Sequence, residues 1–257
     1  DIVFHLGAQV EVGLALKDPY DTFETNIRGT YSLLNVINDI DNNIKSIIIA
    51  SSDKAYGDYP KNLLPYKEDY ALMPKYPYDV SKAAADLIAQ SYSLSPFNLP
   101  VVITRFANIY GPGQLNFSAL IPDLIRSALK LSNFEPRSNG SLLRDYLYID
   151  EVIYLYLLIA KNQYAEASTY SGQIYNAGSN NFYDVKTIIE KIFIKLNNEN
   201  DLQIIIQKMK NKKTQGEIIN QSMDYKKVQN TFGWKPIIDI DQGLDYTINW
   251  YKNYLLK

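Results

Sequence analysis

Three short apolar runs, at residues 2–6, 45–51 and 100–106, alternate with longer stretches of helical apolar spacing. This alternation constrains the fold more than any other feature of the chain. Runs such as Ile47-Ile48-Ile49 and Val101-Val102-Ile103 are apolar at every position, not at every second one. A strand of that kind is buried on both faces, as in a parallel sheet covered by helices. Between the first two runs, Phe23, Ile27, Leu33, Leu34, Val36 and Ile37 suit a helix over residues 21–38. Between the second and third, Val80, Ala83, Ala84, Leu87, Ile88 and Tyr92 predict a helix over 79–94. The expected class is therefore α/β, with a doubly wound parallel sheet.

After Gly111-Pro112-Gly113 the texture changes. Helical patterns cover 119–131, 149–161, 183–197 and 241–255, separated by strand-like pieces at 173–175 and 202–206, while 207–217 is polar enough for a surface loop. Residues 1–110 are thus expected to form the sheet domain. Residues 111–257 are expected to form a smaller mixed α/β lobe, with some segments, the C-terminal helix among them, packing back on the sheet. Residues 53–77 make a Pro- and Tyr-rich connection longer than strand and helix require, which points to function.

Composition narrows the chemistry. A net charge of −2 offers no bulk attraction to nucleic acid or to an anionic membrane. With no cysteine and a single histidine, disulfides and thiolate metal sites are excluded and no metal is expected. No apolar run reaches the roughly 20 residues a membrane-spanning helix needs, and no signal peptide is evident, so the expected compartment is the cytoplasm. The chain opens with Asp1 inside a core-like strand. It is therefore expected to be a fragment of a longer protein.

Tyr78 and Lys82 lie one helical turn apart at the start of the 79–94 pattern, and Ser52 follows the second strand. An ammonium beneath a phenol favours the phenolate. A hydroxyl from a strand end can bind the same substrate oxygen, so the three suit proton transfer during alcohol oxidation beside a hydride acceptor. Among 22 tyrosines, the same spacing can equally be two side chains on an exposed helix face.

The surrounding segments decide between these readings. Ile2-Val3-Phe4-His5-Leu6-Gly7-Ala8, Asn26-Ile27-Arg28-Gly29-Thr30, Ala50-Ser51-Ser52-Asp53-Lys54-Ala55-Tyr56-Gly57, Pro77-Tyr78-Asp79-Val80-Ser81-Lys82, Arg105 to Pro112, Arg144 to Asp150, Tyr175-Asn176-Ala177-Gly178 and Gly233-Trp234-Lys235-Pro236 occur in this order. Together they resemble the extended short-chain dehydrogenase/reductase family, specifically its NAD-dependent nucleotide-sugar epimerases and dehydratases, over nearly the whole chain. In that family a strand, a Gly-x-x-Gly-x-x-Gly turn and a helix precede the strand that begins here, and the turn binds the pyrophosphate. No such triplet is present. The resemblance thus implies an incomplete Rossmann-type sheet, lacking its first three strands and the Gly-rich turn, with the edge and faces of the first strand exposed.

The resemblance also implies roles. Tyr78 takes the hexose C4 hydroxyl proton, Lys82 lowers the tyrosine pKa and binds the nicotinamide ribose, and Ser52 binds the substrate oxygen. Leu6, Gly7, Ala8, Asn26, Ser51, Tyr78, Lys82 and Ala107 would bind NAD. Asn108, Asn116, Phe117 and Arg144 would bind a nucleoside-diphosphate hexose, whereas Gly216-Glu217-Ile218-Ile219 offers no arginine where relatives supply one to the diphosphate. Asp53 and Lys54 fall where dehydratases carry an acid and a base, and the Asp-Lys pair looks most like CDP-glucose 4,6-dehydratases. The implied product is a 4-keto-6-deoxy sugar for surface polysaccharide. A 4- or 2-epimerase, or a non-catalytic binding relative, are the alternatives. Helices 21–38 and 79–94 resemble the pair that forms a homodimer interface in the family.

Overall fold

The computed structural model describes residues 1–40, 43–213 and 217–257. Its larger layer is a four-stranded parallel sheet in the order β1 (Ile2–His5), β2 (Ser46–Ala50), β3 (Val101–Phe106), β6 (Ile174–Ala177). Side chains alternate across it. Ile47, Ile49, Val101 and Ile103 pack beneath Leu34, Ile37 and Ala89, whereas Ile48 and Val102 pack with Leu155 and Ile159. The first face is covered by α3 (Gly29–Asp39) and α4 (Pro77–Tyr92), the second by α6 (Ile149–Ala165). Burial on both faces explains the uninterrupted apolar runs.

The expected helix over 21–38 is a composite. After α1 (Val12–Lys17), α2 (Pro19–Phe23) passes into α3 through a π-helical turn, Glu24–Arg28. β1 differs from β2 and β3 because it pairs on one side only among the described residues. Ile2 and Phe4 are each more than a third exposed.

The second layer is a three-stranded sheet, β4 (Asn108–Tyr110), β5 (Leu143–Tyr148) and β7 (Phe182–Asp184). It packs with α5 (Leu120–Ala128), α8 (Val185–Lys195), α9 (Glu199–Met209) and α11 (Ile240–Leu255) around Leu124, Ile188, Ile192 and Leu244. Two expectations fail here. Residues 202–206 belong to a helix, because Asn198 caps it and Leu202, Ile205 and Met209 share its buried face. The C-terminal helix packs on α5, α8 and β5 of this lobe, not on the parallel sheet. The surface loop expected at 207–217 begins only after α9, and residues 214–216 lie outside the described residues. The short α7 (Ala167–Tyr170) precedes β6, and α10 (Lys226–Phe232) packs beside that strand. Among the described residues no helix is long and apolar enough to cross a membrane.

Candidate active site

The carboxyl ends of β1, β2 and β3 deliver Leu6–Ala8, Ser51–Lys54 and Ala107 to one end of the sheet, the usual ligand edge of such folds. Ser52 is extended and caps the 3-10 turn Asp53–Tyr56, accepting from the Lys54 N–H at 3.2 Å while its hydroxyl donates to Asp53 Oδ1 at 3.0 Å. That turn packs on the start of α4, which carries Tyr78 and Lys82.

Tyr78 is buried. Burial, and then the Asp53 carboxylate, push its phenol up, against a lowering hydrogen bond with the Ser52 side chain. Lys82 is nearly fully buried and donates to the Ala50 carbonyl at 2.5 Å. Burial lowers its ammonium to about 8, opposed by Asp86. The lysine turns onto the end of β2, and the anionic neighbour Asp53 governs the phenol together with burial.

Asn26, brought in by the π-helical turn, is buried with its amide consumed inside the protein. It accepts from Gln9 N at 2.7 Å and donates to the Gln9 carbonyl at 2.9 Å and to Ser81 Oγ at 2.8 Å. These bonds tie the loop after β1 to α4. Ser51 Oγ, in contrast, is buried without a partner at the sheet edge. That orphaned hydroxyl and the buried Lys82 fit the nicotinamide end of a dinucleotide.

The expected substrate residues do not all converge. Arg144 is buried in β5. Its guanidinium donates to Glu217 at 3.0 Å and to the carbonyls of Leu143 at 2.9 Å and Ile219 at 3.4 Å. Glu217 thus brings a carboxylate, not an arginine, to this place, while Gly216 of the same segment lies outside the described residues. Asn108 donates to the Asp145 carbonyl at 3.2 Å. Asn116 accepts from the backbone N–H and hydroxyl of Ser118, and Phe117 lies under the Arg126 guanidinium. Both are therefore engaged in shaping the start of α5.

Residues the motifs did not single out complete the site. The strap 217–223 pairs with β5 near Leu143 and with Tyr66, and brings Gln221 to Lys54, whose Nζ donates to Gln221 Oε1 at 3.3 Å. Asp145 accepts from the Ser179 N–H and hydroxyl and the Met223 N–H, yet burial raises it to about 6. A Cβ on Gly178 would come within 2.2 Å of Asp145 Oδ2, which explains the glycine of the Tyr-Asn-x-Gly segment. Behind the site, Arg105 forms a bidentate pair with Asp86 at 2.7 and 2.9 Å and donates to Tyr56 Oη at 2.8 Å, which donates in turn to Asn176. Five buried polar atoms without partners (Ser51 Oγ, Asp53 Oδ2, Asp79 Oδ2, Gln221 Nε2 and Ser222 Oγ) come from three segments that meet here. Such atoms are costly unless a ligand completes them.

A family model described as GDP-mannose 4,6 dehydratase matches residues 1–247. The dTDP-glucose 4,6-dehydratase of Haemophilus influenzae is 31% identical over 270 residues, covering 98% of this chain and 76% of that protein. The human dTDP-D-glucose 4,6-dehydratase is 28% identical, with 98% and 69% covered. The crystal structure of dTDP-glucose 4,6-dehydratase from Bacillus anthracis in complex with NAD superposes with a TM-score of 0.81 at 27% identity, covering 98% of this chain and 73% of that one. The corresponding enzyme from Streptomyces venezuelae, also with NAD, gives 0.86 at 25% identity, over 98% and 73% of the two chains. With Ser52, Asp53 and Lys54 at the end of β2 packed on the start of α4, which carries Tyr78 and Lys82, and a family model matched almost end to end, this chain belongs to the GDP-mannose 4,6 dehydratase family.

Proposed function

We propose that this chain carries the active site of an NAD-dependent nucleotide-sugar 4,6-dehydratase. One observation carries the reading. A buried acid, Asp53, and an amine, Lys54, sit side by side in the turn that also presents Ser52 to the phenol of Tyr78. Alcohol oxidation alone needs the hydroxyl and phenol. Eliminating water needs an additional acid and base on the same sugar.

Lys82, Ser51, Ala107 and the Leu6–Ala8 segment would hold the nicotinamide end of NAD, which would supply the hydride acceptor for C4 oxidation and the hydride donor for the later reduction at C6. Tyr78 takes the C4 hydroxyl proton while Ser52 binds that oxygen. Asp53 must be neutral to protonate the departing C6 hydroxyl, and a neutral Asp53 no longer pushes up the Tyr78 phenol. The acid form of one residue therefore favours the base form of the other. Once C4 is a ketone, the C5 proton is acidic, and Lys54 removes it as a free amine. Arg144 and Asn108 would meet the diphosphate of a nucleoside-diphosphate hexose, with Asn116 and Phe117 at the sugar-nucleotide side. A guanidinium fork suits phosphate oxygens.

We place the enzyme in the cytoplasm as a homodimer. The outward residues Tyr31 and Val36 of α3, Leu87 of α4 and Leu94 just after it are exposed apolar side chains that support such an interface. The reading is tested by Lys54→Ala. Dehydrated product should fall by at least about a hundredfold, as expected when a general base is removed. Single-turnover formation of NADH on adding sugar nucleotide should persist. Full dehydration by the variant would overturn the assignment of the base.

A further inference from the structure

Gln221 has no part in the chemistry above, yet it is 1% exposed and its amide reaches the base assigned to elimination. The backbone around it is fixed from two directions. Its N–H donates to the Leu143 carbonyl at 3.1 Å, and the Leu143 N–H donates to the Ile219 carbonyl at 3.1 Å. The Ser222 carbonyl accepts the Tyr66 N–H at 2.8 Å, and the Met223 N–H donates to Asp145 Oδ2 at 3.3 Å. The Tyr66 phenol adds a bond to the Asn220 carbonyl at 3.2 Å. The strap is thus held by β5 on one side and by the connecting loop on the other, which sets where the Gln221 side chain starts.

The two ends of its amide differ. Oε1 accepts from Lys54 Nζ at 3.3 Å, the only hydrogen bond of that nitrogen among the described residues. Nε2 is buried and has no partner. The orientation is settled by chemistry, because an ammonium only donates and must meet the carbonyl end. The N–H end is then turned away from Lys54, with nothing in the protein to accept it. Ser222 Oγ, next in sequence, and Asp53 Oδ2, in the turn that carries Lys54, are also buried without partners. A buried amide left half satisfied is costly unless a ligand takes its hydrogen.

Resting on the dehydratase reading, we propose that Gln221 is a positioning residue for Lys54 and a sugar ligand at once: its carbonyl holds the amine, and its free N–H donates to a hexose oxygen beside C5. As a free amine Lys54 still donates one N–H to Oε1 and keeps its lone pair for the C5 hydrogen. C5 bears the ring oxygen and the C6 hydroxymethyl group, so a donor fixed next to the amine has a sugar oxygen to meet. One amide then fixes both partners of the proton transfer relative to each other.

Gln221→Met keeps the length of the side chain and removes both polar ends. The assay uses the enzyme with bound NAD and the nucleoside-diphosphate glucose it dehydrates, chosen from the CDP, dTDP, UDP and GDP forms. Elimination is followed as exchange of the C5 hydrogen with deuterated solvent, which should fall by at least about tenfold at saturating substrate. KM should rise about two- to tenfold, the scale of one neutral hydrogen bond. Single-turnover NADH formation at saturation should stay within threefold of wild type, since Tyr78 and Ser52 are untouched. In a Lys54→Ala background the same substitution should lower C5 exchange by less than about twofold, because the amine it positions is gone. Gln221→Asn, which keeps both groups one methylene short of the amine, should show the same split and serves if the methionine variant does not fold. An equal loss of hydride transfer and elimination overturns the proposal, as do an unchanged KM and a full further loss in the Lys54→Ala background. Wild-type enzyme that dehydrates none of the four substrates would instead remove the functional reading itself.

Discussion

Replacing Asp86 by alanine is the sharpest test of how the site is held together. Asp86 and Arg105 have side chains 0% and 2% exposed, and their two hydrogen bonds, at 2.7 and 2.9 Å, join α4 to β3. The same guanidinium reaches Tyr56 in the turn that carries Asp53 and Lys54, and Tyr56 reaches Asn176 in β6. Asp86→Ala leaves Nε and Nη2 of a buried cation without acceptors. Breaking such a pair costs about 3–5 kcal/mol, a large share of the roughly 5–15 kcal/mol that holds a domain folded. For a chain of this size that corresponds to a fall in Tm of about 6–20 °C. The double variant Asp86→Leu/Arg105→Met removes both charges and should cost less than Asp86→Ala alone, because no ion is stranded. Urea titrations followed by circular dichroism give both values. A cost below about 1 kcal/mol for Asp86→Ala, or a double variant less stable than the single one, would refute the view that this pair is a buried strut.

Lys82 gives a pH signature. Its folded-state value of about 8 lies below the usual 10.5, so between these values the unfolded chain binds the extra proton and stability rises with pH. Lys82→Met should remove up to about 2 kcal/mol of that rise, measured as the difference in urea midpoint between pH 7.5 and 9.5; an identical slope in both proteins would contradict it. Glu217 occupies the Arg144 guanidinium at 3.0 Å and is partly exposed. Glu217→Gln should therefore lower KM for the sugar nucleotide by up to about fivefold, the scale of one partly screened ion pair, and an unchanged or raised KM would show that the carboxylate does not compete.

The parallel sheet was legible because burial on both faces leaves an unbroken apolar signature, as in Ile47-Ile48-Ile49. The second sheet was not. β4 and β7 have three residues each, too short for any period, and their pairing with β5 spans the chain from residue 108 to 184. Residues 202–206 looked like a strand because Ile204-Ile205-Ile206 is continuous; only Asn198 and the spacing to Met209 mark the helix. At the site, the order of motifs singled out Ser52, Asp53, Lys54, Tyr78 and Lys82, which lie together beside the carboxyl end of β2, but spacing alone does not say which atoms they reach. An i, i+4 pair shares a helix face, yet which atom the lysine reaches depends on a carbonyl 32 residues away. Gln221 carried no local signal, since it arrives on a strap 167 residues from Lys54.

The account turns on whether water leaves the sugar. The enzyme, NAD and a nucleoside-diphosphate hexose in deuterated water should give a product lighter by one water, with one deuteron at C5 and the original C4 hydrogen at C6, read by mass spectrometry and NMR. A product that keeps its C6 hydroxyl, whatever its configuration at C4 or C2, would contradict the dehydratase assignment and favour an epimerase.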